Sequence, residues 1–372
     1  MPVIKDRNLL LDFIRGVAAI LVCAGHLRAA LFVDFSNLSS SSYLDKFFYF
    51  ITGFGHESVI IFFVLSGYLV GGSVLEKSNI DWIEYLSKRI FRLWVVLIPA
   101  LFFTFLVDIC IELLNKDVLS GAQYVVINSG PNSDHPYSSG IIIFISNLFF
   151  LQNINMPIFG SNGPLWSLSN EFWYYILFPV LLMLYRAEFN QKLIYLTISL
   201  LLILWLPLEV LKYFLVWVFG VVAFYLNKKN HLNSRMVYIS ILAFGMAMVL
   251  SRVGAFSSVF LSDVIIGIMF SLTITCQFKK NNNKFMERIV HFFSDISYTL
   301  YLFHFPLVIL AYTVFFFENQ MMVGLESVCI YMSIMLVILL ISYIAWYLFE
   351  RNTVKIQCMV IKKIKKKKII RL

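Results

Sequence analysis

Long apolar runs broken by short polar segments recur along the whole chain. A helix needs ~20 mainly apolar residues to cross a bilayer. By that measure, spans are expected near 9–31, 57–75, 90–114, 166–185, 193–208, 210–227, 236–252, 258–277, 295–317 and 325–349. The apolar stretch 141–151 is about half as long and reads as a re-entrant or interfacial helix. The expected fold is all-α: a polytopic transmembrane helix bundle of about ten spans plus that short helix. The longest connection, from about Asn115 to Pro164, contains Asn128-Ser-Gly-Pro-Asn-Ser-Asp-His-Pro, which is loop chemistry. Long loops are often functional. The chain carries no evident internal repeat, the mark of many transporters.

Composition turns length into one membrane domain. Of 372 residues, 60% are hydrophobic and 14% charged, whereas soluble domains run nearer half and a quarter. The 37 Phe and 19 Tyr suit lipid-facing and interfacial positions. A net charge of +9 raises the question of nucleic acid, and its distribution answers it. With ten spans and the N-terminus inside, the inner segments hold Lys5, Arg7, Lys77, Lys88, Arg89, Arg92, Arg186, Lys192, Lys228, Lys229, Arg235, Lys279, Lys280, Lys284 and Arg288. The basic tail Lys362 to Arg371 joins them, while the outer segments hold only Lys46, Lys116, Lys212 and Arg252. That is the positive-inside pattern, with both termini cytoplasmic, and it excludes a nucleic-acid partner. The expected division is a membrane domain over 1–352 and a basic cytoplasmic tail over 353–372. The tail is a topological anchor that also touches anionic membrane lipids. Cys23, Cys110, Cys276, Cys329 and Cys358 form no close pair and no metal spacing, and read as small hydrophobes. No cleavable leader, no appended soluble domain and no metal are expected.

Ionisable residues inside spans cost at least ~2.5–3.5 kcal/mol each and mark candidate sites. Arg15 and His26 share the first span, eleven residues apart. That is very nearly three turns, so they lie on one face about 16 Å apart along the axis. Asp12, three residues before Arg15, can pair with it. Small neighbours (Gly16, Ala18, Ala19, Ala24, Gly25) suit close helix packing and a cavity equally. Ser66 and Gly67 follow Phe62-Phe-Val-Leu and either pack or line a cavity. Arg89 and Arg92 share a helix face at the start of the third span, as positive-inside flanks or as a phosphate site. Glu171 stands among Phe172, Trp173 and Tyr174, just inside a span opened by Gly163-Pro164. It is an acid or base, an orienter of a histidine, or an interfacial carboxylate. Ser297, Tyr301 and His304 fall on one stripe, with Pro306 loosening the helix nearby. His304 suits a base, a ligand or a hydrogen-bond pin.

Together these segments resemble the acyltransferase-3 family of integral membrane acyltransferases. The likeness runs from Leu11-Asp-Phe-Ile-Arg-Gly-Val-Ala-Ala and the Arg15-to-His26 spacing through Phe62-Phe-Val-Leu-Ser-Gly-Tyr and Arg89-x-x-Arg92-Leu. It continues in Leu165-Trp-Ser-Leu-Ser-Asn-Glu171 and Ser297-Tyr-Thr-Leu-Tyr-Leu-Phe-His304-Phe-Pro, and ends at Tyr347-Leu-Phe-Glu350-Arg351. Asn352 stands where many members carry proline. The resemblance implies an enzyme of the cytoplasmic (inner) membrane. It would take an acyl group, usually acetyl, from cytoplasmic acyl-CoA to a hydroxyl of a surface or lipid-linked glycan. Macrolide-type small molecules are the other acceptor class. His26 is then the base or the acyl carrier, and Arg15 orients the thioester or holds a phosphate. Arg89 and Arg92 meet the CoA phosphates, and Glu171 orients His26. His304 joins the catalytic set, and Tyr301, Ser66 and Trp166 face substrate. Two readings compete: a glycolipid transporter or flippase, and a non-catalytic partner of a polysaccharide enzyme.

Overall fold

The computed structural model describes residues 8–38, 40–229, 234–275, 283–315 and 319–359. Cys276, Lys5, Arg7, Lys279, Lys280 and the basic tail from residue 360 lie outside them. Among the described residues every named element is helical. Six helical segments are long and apolar enough to cross a membrane: Leu9–Leu31, Tyr43–Leu75, Trp82–Leu114, Leu208–Lys229, Lys284–Phe315 and Leu325–Met359. The stretches expected near 166–185, 193–208, 236–252 and 258–277 are also helical, as Leu165–Arg186, Phe189–Trp205, Ser234–Arg252 and Val259–Thr275. They fall short of that combined length and hydropathy measure.

We number the helices in chain order: α1 Leu9–Leu31, α2 Tyr43–Ile51, α3 Gly55–Ser66, α4 Gly72–Leu75, α5 Trp82–Leu114, α6 Gln123–Ile127, α7 Ile141–Leu148, α8 Leu165–Arg186, α9 Phe189–Trp205, α10 Leu208–Lys229, α11 Ser234–Arg252, α12 Val259–Thr275, α13 Lys284–Phe315 and α14 Leu325–Leu348. α7 has eight residues, about 12 Å, too short to span. Several helices begin before their apolar run. α5 starts at Trp82, where the Asp81 side chain accepts the Glu84 N–H as an N-cap. α13 starts at Lys284, about three turns ahead of the expected boundary at 295. Residues 353–359 continue as helix past the expected domain edge at 352.

The chain forms two compact units, each assembled from separated segments. The first holds Met1–Gly25, Phe47–Ser78 and Asn170–Asp295. Within it α10 packs on α12 and α3. The α3–α10 approach is so close that a Cβ on Gly220 would collide with the Val64 carbonyl, and one on Gly67 with that of Trp217. Small residues let backbones meet this way. Gly67–Gly71 forms a π-helical turn directly after Ser66, a distortion common at functional sites.

The second unit holds His26–Lys46, Asn79–Ser169 and Ile296–Leu372. Polar bonds lock α5, the loop at residues 160–162 and α13 together. Pro306 has no N–H, so the carbonyl four residues earlier, on Leu302, loses its helical donor. Asn162 supplies one: its Nδ2 donates to Leu302 O at 3.0 Å and to Thr104 Oγ1 at 3.1 Å. Next to it the Ser161 N–H donates to Asp108 Oδ2 at 2.9 Å. Gly160 has φ +60°, and a Cβ there would strike the same carboxylate, so only glycine fits. Burial, with Asp108 adding to it, pushes the Tyr137 hydroxyl in this loop up to about 12, so it stays a neutral donor.

Candidate active site

The second unit brings two of the sequence-expected residues into direct contact. His26, in the last turns of α1, and His304, in the middle of α13, are 278 residues apart in the chain. Their Nδ1 and Nε2 atoms lie 3.0 Å apart. The ring centres are 5.3 Å apart and the planes differ by 5°. That separation is what a 3.0 Å contact plus two ring radii requires, so the rings meet edge to edge rather than face to face. Phe305 closes against His26 edge-on at 5.0 Å.

The proton positions follow from the acceptors. His304 Nδ1 faces two helix carbonyls, Leu300 O at 3.0 Å and Tyr301 O at 2.9 Å. A carbonyl only accepts, so Nδ1 carries the proton. In the neutral ring His304 Nε2 is then the acceptor, and His26 Nδ1 must donate to it. This leaves His26 Nε2 as an unprotonated lone pair. His304 is completely buried, whereas His26 is partly exposed. The pair thus has a fixed inner member and an accessible outer one.

Tyr301, one turn before His304, is pinned from the start of α8. Its hydroxyl lies 2.6 Å from Ser167 Oγ and donates to Pro164 O at 3.2 Å. Trp166, in the same turn, is partly exposed. Asn162 escaped sequence reading because it stands in a loop without periodicity, and Ser167, in the first turn of α8, was visible only as part of a motif. The sole cue to Asn162 is Pro306, whose freed carbonyl needs a donor.

Arg89 and Arg92 sit at the first turns of α5. Arg89 lies over the Tyr85 ring, 5.4 Å from its centre. Arg92 Nη2 is 3.4 Å from Glu350 Oε1, and its guanidinium is about half-exposed. Glu350 is held in turn by Thr299, whose N–H and hydroxyl both donate to Oε2, at 3.2 and 2.6 Å. Glu350 was visible only as part of a motif, and its pairing with Arg92 was not.

In the first unit Ser66 and Glu171 meet. Ser66 donates to Glu171 Oε1 at 2.8 Å and accepts the Trp217 indole N–H at 3.1 Å. The Tyr175 hydroxyl also donates to Glu171 Oε1. Glu171 was expected to orient His26. The Glu171 carboxylate is held by hydroxyls of α3 and α8. Arg15 lies 3.9 Å from Asp12, which also receives Ser294 at 2.9 Å and stands 3.3 Å from His291. Asp12 was the expected partner of Arg15, and His291 was not foreseen. Among the described residues no group of three or more His, Cys, Asp or Glu side chains is placed to hold a metal ion.

Residues 8–347 match the family described as Acyltransferase domain, the acyltransferase-3 family. The chain belongs to that family. Family membership covers both units, so the His26–His304 pair and the Ser66–Glu171 pair lie within the matched region. The chain is also 25% identical over 173 residues to an O-acetyl transferase of Shigella phage Sf6. That alignment covers 45% of this chain and 43% of the phage protein, under half of each. No solved structure matches this chain.

Proposed function

We propose that this chain is a membrane O-acyltransferase that carries an acetyl group from acetyl-CoA to a hydroxyl of a cell-surface or lipid-linked glycan. The observation that carries the reading is the hydrogen-bonded line from His26 through His304 to the carbonyls of α13. Acyl transfer to an alcohol needs a base at the hydroxyl. His26 Nε2 is that base. It takes the hydroxyl proton as the oxygen attacks the thioester carbon. The C–S bond then breaks, and the proton passes from His26 to the departing thiolate. As positive charge grows on His26, its Nδ1–H donates to His304, whose own Nδ1–H donates to two carbonyl oxygens. Each dipole in that line opposes the developing charge.

Arg89 and Arg92 bind the CoA phosphates, because guanidinium forks match phosphate oxygens. Arg92 exchanges Glu350 for the phosphate on binding. In the expected topology of ten spans with both termini in the cytoplasm, this arginine pair faces the donor side and His26 lies toward the outer acceptor. Tyr301 holds the His304 turn in place, and Trp166 lies beside the acceptor. The acetyl group follows the phage relative, described as an O-acetyl transferase, and the glycan acceptor follows the resemblance to the acyltransferase-3 family.

Mass spectrometry of surface glycan from cells lacking the gene tests the reading. Complementation with the wild-type chain should restore an acetyl-sized mass increment, and His26→Ala at equal protein level should not. An unchanged glycan mass with altered glycan export would make the chain a transporter. Full complementation by His26→Ala would make it a non-catalytic partner.

A further inference from the structure

The second unit also carries a groove of about 820 Å³ that the acyl-transfer reading does not use. Its floor is the ridge Trp94, Ile98, Phe102 and Leu106, one residue per turn along α5. Twelve residues of helix measure roughly 18 Å, about the depth of one leaflet of a hydrocarbon core ~30 Å thick. The opposite wall is Phe303 of α13, Phe349 and Ile356. Phe102 and Leu106 stay 57% and 61% exposed, so the floor is open to the surroundings at that end, while Trp94 and Ile98 are half-buried.

The two ends of the groove differ. At the Trp94 end stand Asn352 and Lys355. Trp94 spends its indole N–H on Leu148 O at 2.7 Å, and tryptophan favours the headgroup level of a bilayer. Lys355 is exposed and, among the described residues, makes no ion pair. The wall that carries it is braced: Thr353 Oγ1 donates to Glu350 O at 2.6 Å, and Gln357 Nε2 to Lys88 O at 3.0 Å. An apolar trough one leaflet deep, with an unmatched cation at its interfacial mouth, complements one class of molecule.

We propose that this groove binds an anionic phospholipid, with one acyl chain along the α5 ridge and the phosphate on Lys355. The lipid is a bound component of the protein, separate from donor and acceptor. A basic residue at a membrane surface changes affinity for an anionic lipid by about fivefold.

Native mass spectrometry of the full chain, delipidated and then offered lipids of equal acyl length, tests this. Wild type should retain one phosphatidylglycerol, about fivefold in preference to phosphatidylethanolamine. Lys355→Glu should abolish the preference. Ile98→Trp, which fills the trough, should lower retention of both lipids. Leu106→Trp, at a more exposed position, serves the same purpose if Ile98→Trp fails to fold. Equal retention of the two lipids by wild type would overturn the proposal, as would an undiminished preference in Lys355→Glu. Undiminished retention in the tryptophan variants would overturn the acyl-chain placement. A polyprenyl phosphate that displaces phosphatidylglycerol would assign the groove to an acceptor carrier and overturn it too.

Discussion

Replacing His304 separates its two roles, because different amides mimic different ring nitrogens. A glutamine amide reaches the position of Nε2, whereas an asparagine amide reaches only that of Nδ1. His304→Gln therefore offers Oε1 to His26 Nδ1–H and keeps His26 in the tautomer with a free Nε2. His304→Asn and His304→Ala leave the Nδ1–H without an acceptor and release the tautomer. Removing the partner of a buried donor costs about 1–3 kcal/mol. Expressed wholly in the barrier, that is about 5- to 150-fold in rate. Loss of the correct tautomer adds to it; a serine protease that loses its orienting carboxylate slows by about 10⁴-fold. The expected order is wild type, then Gln within about tenfold, then Asn and Ala together at about 100-fold or more below wild type. The assay is acetyl transfer from labelled acetyl-CoA by purified protein in liposomes, with melting temperature recorded for each variant. Because His304 is fully buried, only variants that melt near wild type are compared. Equal loss in Gln and Asn, or full activity in Ala, would refute the tautomer argument.

Nitrogen chemical shifts of labelled histidine, with His26 assigned by difference from His26→Asn, should show Nδ1 protonated and Nε2 bare. An Nε2-protonated ring at His26 would contradict the hydrogen-bond line. Arg89→Gln and Arg92→Gln should each raise KM for acetyl-CoA by roughly tenfold or more with little change in kcat, since charged hydrogen bonds contribute ~1.5–3 kcal/mol; steady-state kinetics that show a kcat loss alone would remove them from donor binding. Asn162→Ala should lower the melting temperature by stranding the Leu302 carbonyl. Pro306→Ala returns an N–H to that carbonyl, so in a double-mutant cycle it should recover about 1 kcal/mol in the Asn162→Ala background. Strict additivity would mean that Asn162 does not serve the proline's orphan.

What the sequence made legible followed from periodicity and transfer cost. Apolar runs located the helices because a bilayer demands them, and costly polar residues inside the runs marked Arg15, His26, Ser66, Glu171 and His304. Boundaries were less legible. Hydropathy reports where lipid begins, whereas α5 and α13 start turns earlier, in polar sequence with its own capping. α2 was missed because Tyr43–Ile51 carries Asp45 and Lys46 and is too short for a span. Pairings were the least legible. The stripe Ser297, Tyr301, His304 was visible at helical spacing, but nothing along the chain joins His304 to His26 across 278 residues. Glu171 was the reasonable orienter on charge alone. The hydrogen-bonded neighbour of His26 is a second histidine, itself held by two helix carbonyls that no composition reveals.

The central claim is that His26 Nε2 is the base for acetyl transfer, and purified protein in liposomes tests it most directly. With labelled acetyl-CoA and an isolated glycan acceptor, the wild-type chain should transfer label. His26→Ala, melting at the wild-type temperature, should fall to background. Transfer by His26→Ala at the wild-type rate would contradict the claim.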